Sequence, residues 1–311
     1  MSSDLRIAFL FPGQGSQRPG MLAHLRATRI GTNTLAEAAE VLAEDACAFD
    51  SAEAQRGTRA TQLGLLIAGV ASARLLAEQN IEADFVAGHS VGAFAAAVHA
   101  QALRFDDALR LVELRGRLLA QAYPSSYGMA AIAGVPERTL QTWIEAARAR
   151  GAVLYLANRN AARQFTVSGT ESDLETLIAH ARAHGASNAL RLAVAAPSHS
   201  PLMDAVAEQM RIALHGTTYV ADARVPFATN RRARLETDSA AIGNDLASGV
   251  AHPVLWHEIV CALYERGVRT FIEMAPGKVL GNLVKSAFDD VHVFALDSAG
   301  ARDIATALPR R

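Results

Sequence analysis

Cysteine is nearly absent from this chain: Cys47 and Cys261 are the only two in 311 residues, far apart and outside any C-x-x-C spacing. That argues against a disulfide framework and against a thiolate metal centre, so no metal site is expected and a reducing, cytoplasmic setting fits. A charge imbalance is missing as well, with 30 basic residues against 31 acidic ones. Nothing global therefore points to nucleic acid or a membrane surface, and a charged partner must be met by a local patch. Long hydrophobic runs are also lacking: the most apolar stretch, "LGLLIAGVASARLL", is interrupted by Arg74 and reads as too short to span a bilayer. The opening "MSSDLRIAFLFPG" has neither the basic nor the long apolar region of an export signal, so a soluble, unprocessed protein is expected. No internal repeat, low-complexity tract or long linker breaks the chain.

What is present is material for a large core, since 50% of the residues are hydrophobic and the length allows one big domain or two smaller ones. "RIAFLF" (6–11), closed by Pro12 and Gly13, has the continuous apolar pattern of a buried strand. Helical patterns follow at about 34–50 and 61–79, then a strand in "ADFVAG" and a helix of small residues in "VGAFAAAVHAQ". Such alternation predicts a parallel sheet covered on both faces. The rhythm then changes: "GMAAIAGV", a helix over 137–150, the strands "AVLYLA" and "QFTVSG", a helix over about 171–185, and "NALRLAVA". Strand, helix, strand, strand, helix, strand is the order of a ferredoxin-like unit. From His199 the first pattern resumes through "VPFATN" and "VRTFIEMAPG". The expected fold is α/β, with a large parallel-sheet domain of residues 1–126 and 197–311 and an inserted ferredoxin-like α+β subdomain at 127–196.

Between the second strand and the small-residue helix lies Gly88-His89-Ser90-Val91-Gly92, a G-x-S-x-G in the strand-to-helix context that a nucleophile elbow needs. The glycines permit a tight turn with unusual dihedrals and clearance on both sides, leaving the Ser90 hydroxyl exposed at a helix N-terminus where backbone N–H groups can face an oxyanion. The same pentapeptide also fits a plain turn with a serine N-cap. A serine nucleophile requires a base, and His199 in "AAPSHSPLMDAV" is the histidine placed for it, with Ser200 as N-cap and Pro201 at the first helical position. The positive potential of that helix start should keep its imidazole neutral. His89 is the rival, but neighbours on a sharp turn point apart, and a structural role suits it better.

On the helical stretch "DDALRLVELRGRLLAQA", Arg110 has Asp106 and Arg117 has Glu113 four residues before it, whereas Arg115 is flanked by Leu111, Val112, Leu118 and Leu119. A guanidinium on an apolar face needs a distant acid, a route to water or an anionic ligand. If a ligand meets it, the fork suits a carboxylate, and the substrate is an acyl group carrying its own acid.

Six stretches in order, "FPGQGSQRPGM", "GHSVGAF", "VELRGRLL", "PSHSPLM", "HPVLW" and "APGKVLGNLV", resemble the malonyl-CoA:acyl-carrier-protein transacylases over nearly the whole chain. The resemblance implies a hydrolase-like α/β domain with an inserted ferredoxin-like subdomain. It also implies Ser90 as nucleophile, His199 as base, Arg115 as the malonyl carboxylate site, and the backbone N–H groups of Gln14 and Val91 as oxyanion hole. The substrates implied are malonyl-CoA and the phosphopantetheine-type arm of an acyl-carrier protein, with no permanently bound cofactor. Departures are Leu255 in "HPVLW", where the family often has a glutamine that helps orient the histidine, Ala93 in place of a common glutamate, and "NRNAARQ" without the usual Pro-Gly. With no Asp partner evident, a Ser-His dyad is expected.

"GHSVGAFAAAV" and "YPSSYGM" look more like the epsilon subunit of malonate decarboxylase, which implies that enzyme's carrier subunit as acceptor; the alternative is a transacylase of fatty acid or polyketide synthesis. An acidic carrier could dock on Arg159, Arg163, Arg231 and Arg232. An α/β-hydrolase esterase and a non-catalytic binding subunit are the remaining classes.

Overall fold

In the computed structural model, residues 6–123, 126–194, 196–216 and 222–308 are described. The first five residues, Pro124 and Ser125 of "YPSSYGM", and Ala195 of "NALRLAVA" lie outside them. In chain order, β1 (Arg6–Phe11) leads through α1 (Arg29–Leu42) and α2 (Thr58–Glu78) to β2 (Phe85–Gly88), α3 (Gly92–His99) and α4 (Phe105–Ala122). Next come β3 (Tyr127–Ala133), α5 (Glu137–Arg148), β4 (Leu154–Ala161), β5 (Gln164–Thr170), α6 (Glu171–Ala183) and β6 (Asn188–Arg191). The chain continues with α7 (Asp204–His215), the short strands β7 (Phe227–Ala228) and β8 (Leu235–Glu236), α8 (Ser239–Ser248) and α9 (Trp256–Glu265). It ends with β9 (Val268–Glu273), α10 (Val279–Ala287), β10 (His292–Ala295), α11 (Leu296–Ala299) and α12 (Ala301–Ala307).

Six strands form one sheet in the order β10-β9-β1-β2-β7-β8, parallel except for β8. Its middle strand explains the unbroken apolar run. Ile7, Phe9 and Phe11 pack with α2 on one face, while Ala8 and Leu10 pack with Trp256, Ile259 and Phe271 on the other. Neither face meets water, so no polar alternation is possible. The second sheet, β4-β5-β3-β6, is antiparallel throughout, which is the ferredoxin-like order, with its own core of Ile132, Leu140, Phe165 and Leu174. The α/β class with a separate α+β sheet is thus as expected. The two sheets are tied where Val254, just before α9, pairs with Asn158 of β4.

Two helices differ from their expected spans. The pattern over 34–50 is split because Ala43 turns left-handed (φ 52°), ending α1, and a separate 3-10 turn follows at Ala46–Asp50. The apolar run around Arg74 belongs to a 21-residue α2, long and apolar enough to cross a membrane by length and composition alone. It is instead wrapped by the fold, with its residues from Thr61 to Ala73 buried, while Arg74 pairs with Glu37 at 2.7 Å.

Register places the site. Phe11 pairs with Gly88 and Leu10 with Glu273, so the carboxyl ends of β1, β2 and β9 share one edge, joined there by the end of β7. Loops leaving that edge are where open α/β sheets bind ligands.

Candidate active site

The turn after β2 holds Ser90 with φ 54°, a left-handed backbone that a non-glycine residue adopts only when its surroundings impose it. Of the two roles expected of the flanking glycines, unusual dihedrals and clearance, the backbone uses the clearance. A Cβ on Gly88 would lie 2.3 Å from the Ala93 nitrogen, and one on Gly92 would lie 2.2 Å from the Phe11 carbonyl. They allow close approach, and the serine carries the strain. His89 N–H donates to the Phe11 carbonyl (2.9 Å), fastening the turn to the end of β1.

His199 comes to Ser90 from the loop before α7, its Nε2 2.8 Å from Ser90 Oγ. Its Nδ1 lies 2.7 Å from the Gly249 carbonyl and 3.2 Å from that of His252. A carbonyl only accepts, so Nδ1 carries the proton and Nε2 offers a lone pair to the serine hydroxyl. The His199 pKa is pushed down to about 3, first by burial and then by the Arg115 cation, with the two carbonyls opposing. The neutrality expected from a helix start is present, but its cause is different. Pro201–Met203 forms a 3-10 turn ahead of α7, and the Ser200 hydroxyl donates to the Pro197 carbonyl rather than capping a helix.

Leu255, the position expected to orient the histidine, makes no bond to His199; the Gly249 and His252 carbonyls do that work. Leu255 instead donates its backbone N–H to the Asn230 carbonyl (2.9 Å). Because those acceptors are backbone carbonyls of other residues, leucine at 255 is compatible with this orientation of His199.

Arg115 projects from α4, is 3% exposed and makes no ion pair among the described residues. Its one side-chain hydrogen bond is from Nη2 to Ser90 Oγ at 3.2 Å. Burial lowers its pKa to about 10, which leaves it charged at neutral pH. Its neighbours sort differently from the helical spacing: Arg110 does pair with Asp106 (3.2 Å), but Glu113 turns to Arg59 (3.2 Å) and leaves Arg117 exposed without it.

The amide N–H groups of Gln14 and Val91 donate to no other group among the described residues, and Gln14 lines the cleft beside Ser90. Ser90 N–H, by contrast, is taken by Asn230 Oδ1 at 3.0 Å. His89 does not reach the serine hydroxyl. Its Nε2 sits 3.1 Å from both Asn160 Oδ1 and Asn158 Nδ2, and burial lowers its pKa.

Gln14, His89, Ser90, Arg115 and His199 line a cleft of about 210 Å³ between the two sheets, with Met129, Leu192, Val194, Leu280 and Leu283 as apolar wall. Two amide oxygens on that wall, Gln62 Oε1 and Asn158 Oδ1, are buried without partners. Sequence reasoning passed over Gln62, Asn158, Asn160 and Asn230. The signal available for the last was an asparagine at the end of "VPFATN", where a strand leaves the sheet edge. Among the described residues no group of three or more His, Cys, Asp or Glu could hold a metal.

Of the four arginines expected to form a docking rim, Arg159 is neutralised by Glu137 at 2.8 Å, because β4 carries it against α5. Arg163 and Arg232 are exposed, and Arg231 is half-buried.

Known proteins resemble this chain along nearly its whole length. An acyl transferase domain matches residues 8–307. The malonyl CoA-acyl carrier protein transacylase of Salmonella typhimurium is 37% identical over 302 residues, 95% of this chain and 97% of that one. The structure of the corresponding transacylase from Coxiella burnetii superposes with a TM-score of 0.92 at 32% identity, covering 98% of this chain and 97% of that one. A malonyl-transacylase in complex with its type II PKS acyl-carrier protein gives 0.91 at 33% identity, with 96% and 98% covered. On sequence and fold together, the chain belongs to the malonyl-CoA:acyl-carrier-protein transacylase family of acyl transferases.

Proposed function

We propose that this protein moves a malonyl group from malonyl-CoA to the pantetheine thiol of an acyl-carrier protein through an ester on Ser90. The observation that carries the reading is Arg115, a buried cation without an acid, 3.2 Å from the Ser90 hydroxyl. A group that close to the nucleophile suits an acyl chain whose carboxylate is one carbon from the thioester, and a longer diacid would overshoot it. Charge-assisted hydrogen bonds to a carboxylate are worth about 1.5–3 kcal/mol each, which offsets the cost of burying the guanidinium.

Ser90 Oγ attacks the thioester carbonyl while His199 Nε2 takes its proton, and the Nδ1–H bond to the Gly249 carbonyl steadies the imidazolium. The oxyanion faces the N–H groups of Gln14 and Val91, where losing one donor typically costs about 2.7–4 kcal/mol. The C–S bond breaks, and His199 returns the proton to the leaving CoA thiolate. The carrier thiol then gives its proton to His199 and attacks the seryl ester, regenerating Ser90. The partnerless oxygens of Gln62 and Asn158 suit the amide N–H groups of a pantetheine arm. His199 and Ser90 act as a dyad, with backbone carbonyls where a third side chain stands in other serine enzymes.

The transacylase relatives, one bound to an acyl-carrier protein, support a fatty-acid or polyketide carrier as acceptor. They give no support to the malonate decarboxylase carrier that the epsilon-subunit resemblance implied. Exposed Arg163 and Arg232 are the remaining members of the expected rim for an acidic carrier.

Labelled malonyl-CoA should leave one malonyl group on the Ser90 peptide, released onto added carrier, and Ser90→Ala should take none. Unchanged labelling of that variant would sink the reading. Rapid turnover of neutral esters without acyl transfer would favour a hydrolase instead.

A further inference from the structure

The strained serine turn has a dedicated clamp. Asn230 follows the end of β7 and is 3% exposed, and its carboxamide straddles the turn. Oδ1 accepts from Ser90 N–H at 3.0 Å, and Nδ2 donates to the Gly88 carbonyl at 2.8 Å. Both ends of a three-residue segment centred on His89 are therefore gripped by one planar group, as a neighbouring strand would grip them. The clamp is itself fixed. Its backbone N–H donates to Asp245 Oδ2 (2.8 Å), the next N–H, of Arg231, donates to Asp245 Oδ1 (3.1 Å), and its carbonyl accepts from Leu255 N–H (2.9 Å). Asp245, on α8, is 6% exposed.

A carboxamide does both jobs at once, whereas a carboxylate can do so only when protonated. Ser90 N–H needs an acceptor and Gly88 C=O needs a donor, a few ångströms apart in one plane. By taking Ser90 N–H, Asn230 holds Ser90 at φ 54°, next to a Val91 N–H that makes no hydrogen bond among the described residues.

We infer that Asn230 is the positioning residue of the acyl-transfer site, locking the left-handed turn that aims the Ser90 hydroxyl and the Val91 amide, with Asp245 anchoring it. The inference rests on Ser90 being the nucleophile. Asn230 touches no reacting atom, so its loss should slow acylation without weakening capture of malonyl-CoA.

The test uses the full chain, labelled malonyl-CoA and rapid quenching, with malonyl-Ser90 counted by peptide mass. Asn230→Ala should lower the acylation rate roughly a hundred-fold, the scale of a displaced reacting group, while the half-saturating malonyl-CoA concentration stays near that of the parent. Asn230→Asp gives a readout that packing alone would not move. As a carboxylate it sets an acceptor against the Gly88 carbonyl; protonated, its O–H can donate there while the other oxygen accepts from Ser90 N–H. Its acylation rate should therefore rise as pH falls from 8 to 5. The ionisable groups sharing its small cavity are Arg115, His199 and Asp245, with Arg231 and His252 acting on Asp245. All of them are present in the parent, so the parent's profile is the control.

A parent-like rate in Asn230→Ala, or an Asn230→Asp profile parallel to the parent's, would overturn the inference. So would a lowered melting temperature with acylation per folded molecule unchanged. If Asn230→Ala does not melt cooperatively, the Asn230→Asp profile decides. Failure of the underlying reading looks different: the parent itself would carry no malonyl on Ser90.

Discussion

A guanidinium 3.2 Å from a hydroxyl that a histidine must deprotonate acts in two opposite ways. It favours negative charge on Ser90 Oγ, but it also disfavours the imidazolium, and it is the largest charge-based cause of the low His199 pKa. A malonyl carboxylate bound to Arg115 would cancel that repulsion, so the right substrate makes the base stronger and an uncharged acyl group does not. Arg115→Ala should thus cut malonyl loading by roughly a hundred-fold or more, a hundred-fold being the low end for two charge-assisted bonds, while acetyl loading from acetyl-CoA is kept or improved. With His199 held near 3, the parent's acylation rate should stay flat from pH 5 to 8, and the acid limb should move upward in Arg115→Ala. Rapid-quench labelling with both thioesters across pH checks this, and equal loss of both acyl groups would mean that Arg115 only packs. Ser90, His199 and Arg115 were legible because each leaves a local mark: a glycine frame, a proline frame, an unpaired charge on an apolar face. The Gly249 carbonyl leaves none, since every residue offers one.

At the scale of elements, the site depends on β1, β2 and α3 meeting closer than side chains allow. Gly92 opens α3 directly beneath the end of β1, and a Cβ there would stand 2.2 Å from the Phe11 carbonyl and 2.6 Å from that of Pro12. Both obstacles are backbone, the last residue of a central strand and the proline directly after it, so neither can move cheaply. Gly92→Ala should cost about 3 kcal/mol or more, the upper range for overpacking, and should displace the Gln14 loop from the Val91 amide. Calorimetry and malonyl labelling together check it; a stable variant with full labelling would show that the close approach is dispensable. Buried strands and amphipathic helices were readable because burial leaves a period in the sequence. The break in the first helix was not, because Ala43 at φ 52° is an ordinary alanine with no turn signature. Nor could sequence show that Asn230, 140 residues beyond Ser90, is brought to it by strand order.

Across the whole molecule, ionisable groups shielded from water pull stability in opposite directions with pH. His99 lies against Phe9 and Phe11 (ring centroids 5.1 and 6.1 Å), and burial lowers its pKa from 6.5 to about 4. Below pH 6.5 the unfolded chain takes up a proton there that the folded chain refuses, so stability falls as pH drops toward 4; His199 adds to the same trend. Glu273 works the other way. Its carboxyl ends β9, accepts from the N–H groups of Leu280 and Gly281 (3.1 and 2.7 Å), and is pushed by burial from 4.5 up to about 7. Between those values the folded chain holds a proton that the unfolded chain releases, so its contribution is full below pH 4.5 and is lost as pH rises through 7. His99 can be isolated because it touches neither the cleft nor another charge. In His99→Leu, the difference in urea unfolding free energy from the parent should be about 2 kcal/mol more favourable at pH 5 than at pH 8. A difference that is the same at both pH values would show that His99 is protonated alike in the folded and unfolded chain, and would move the origin of acid sensitivity to His199 in the active site.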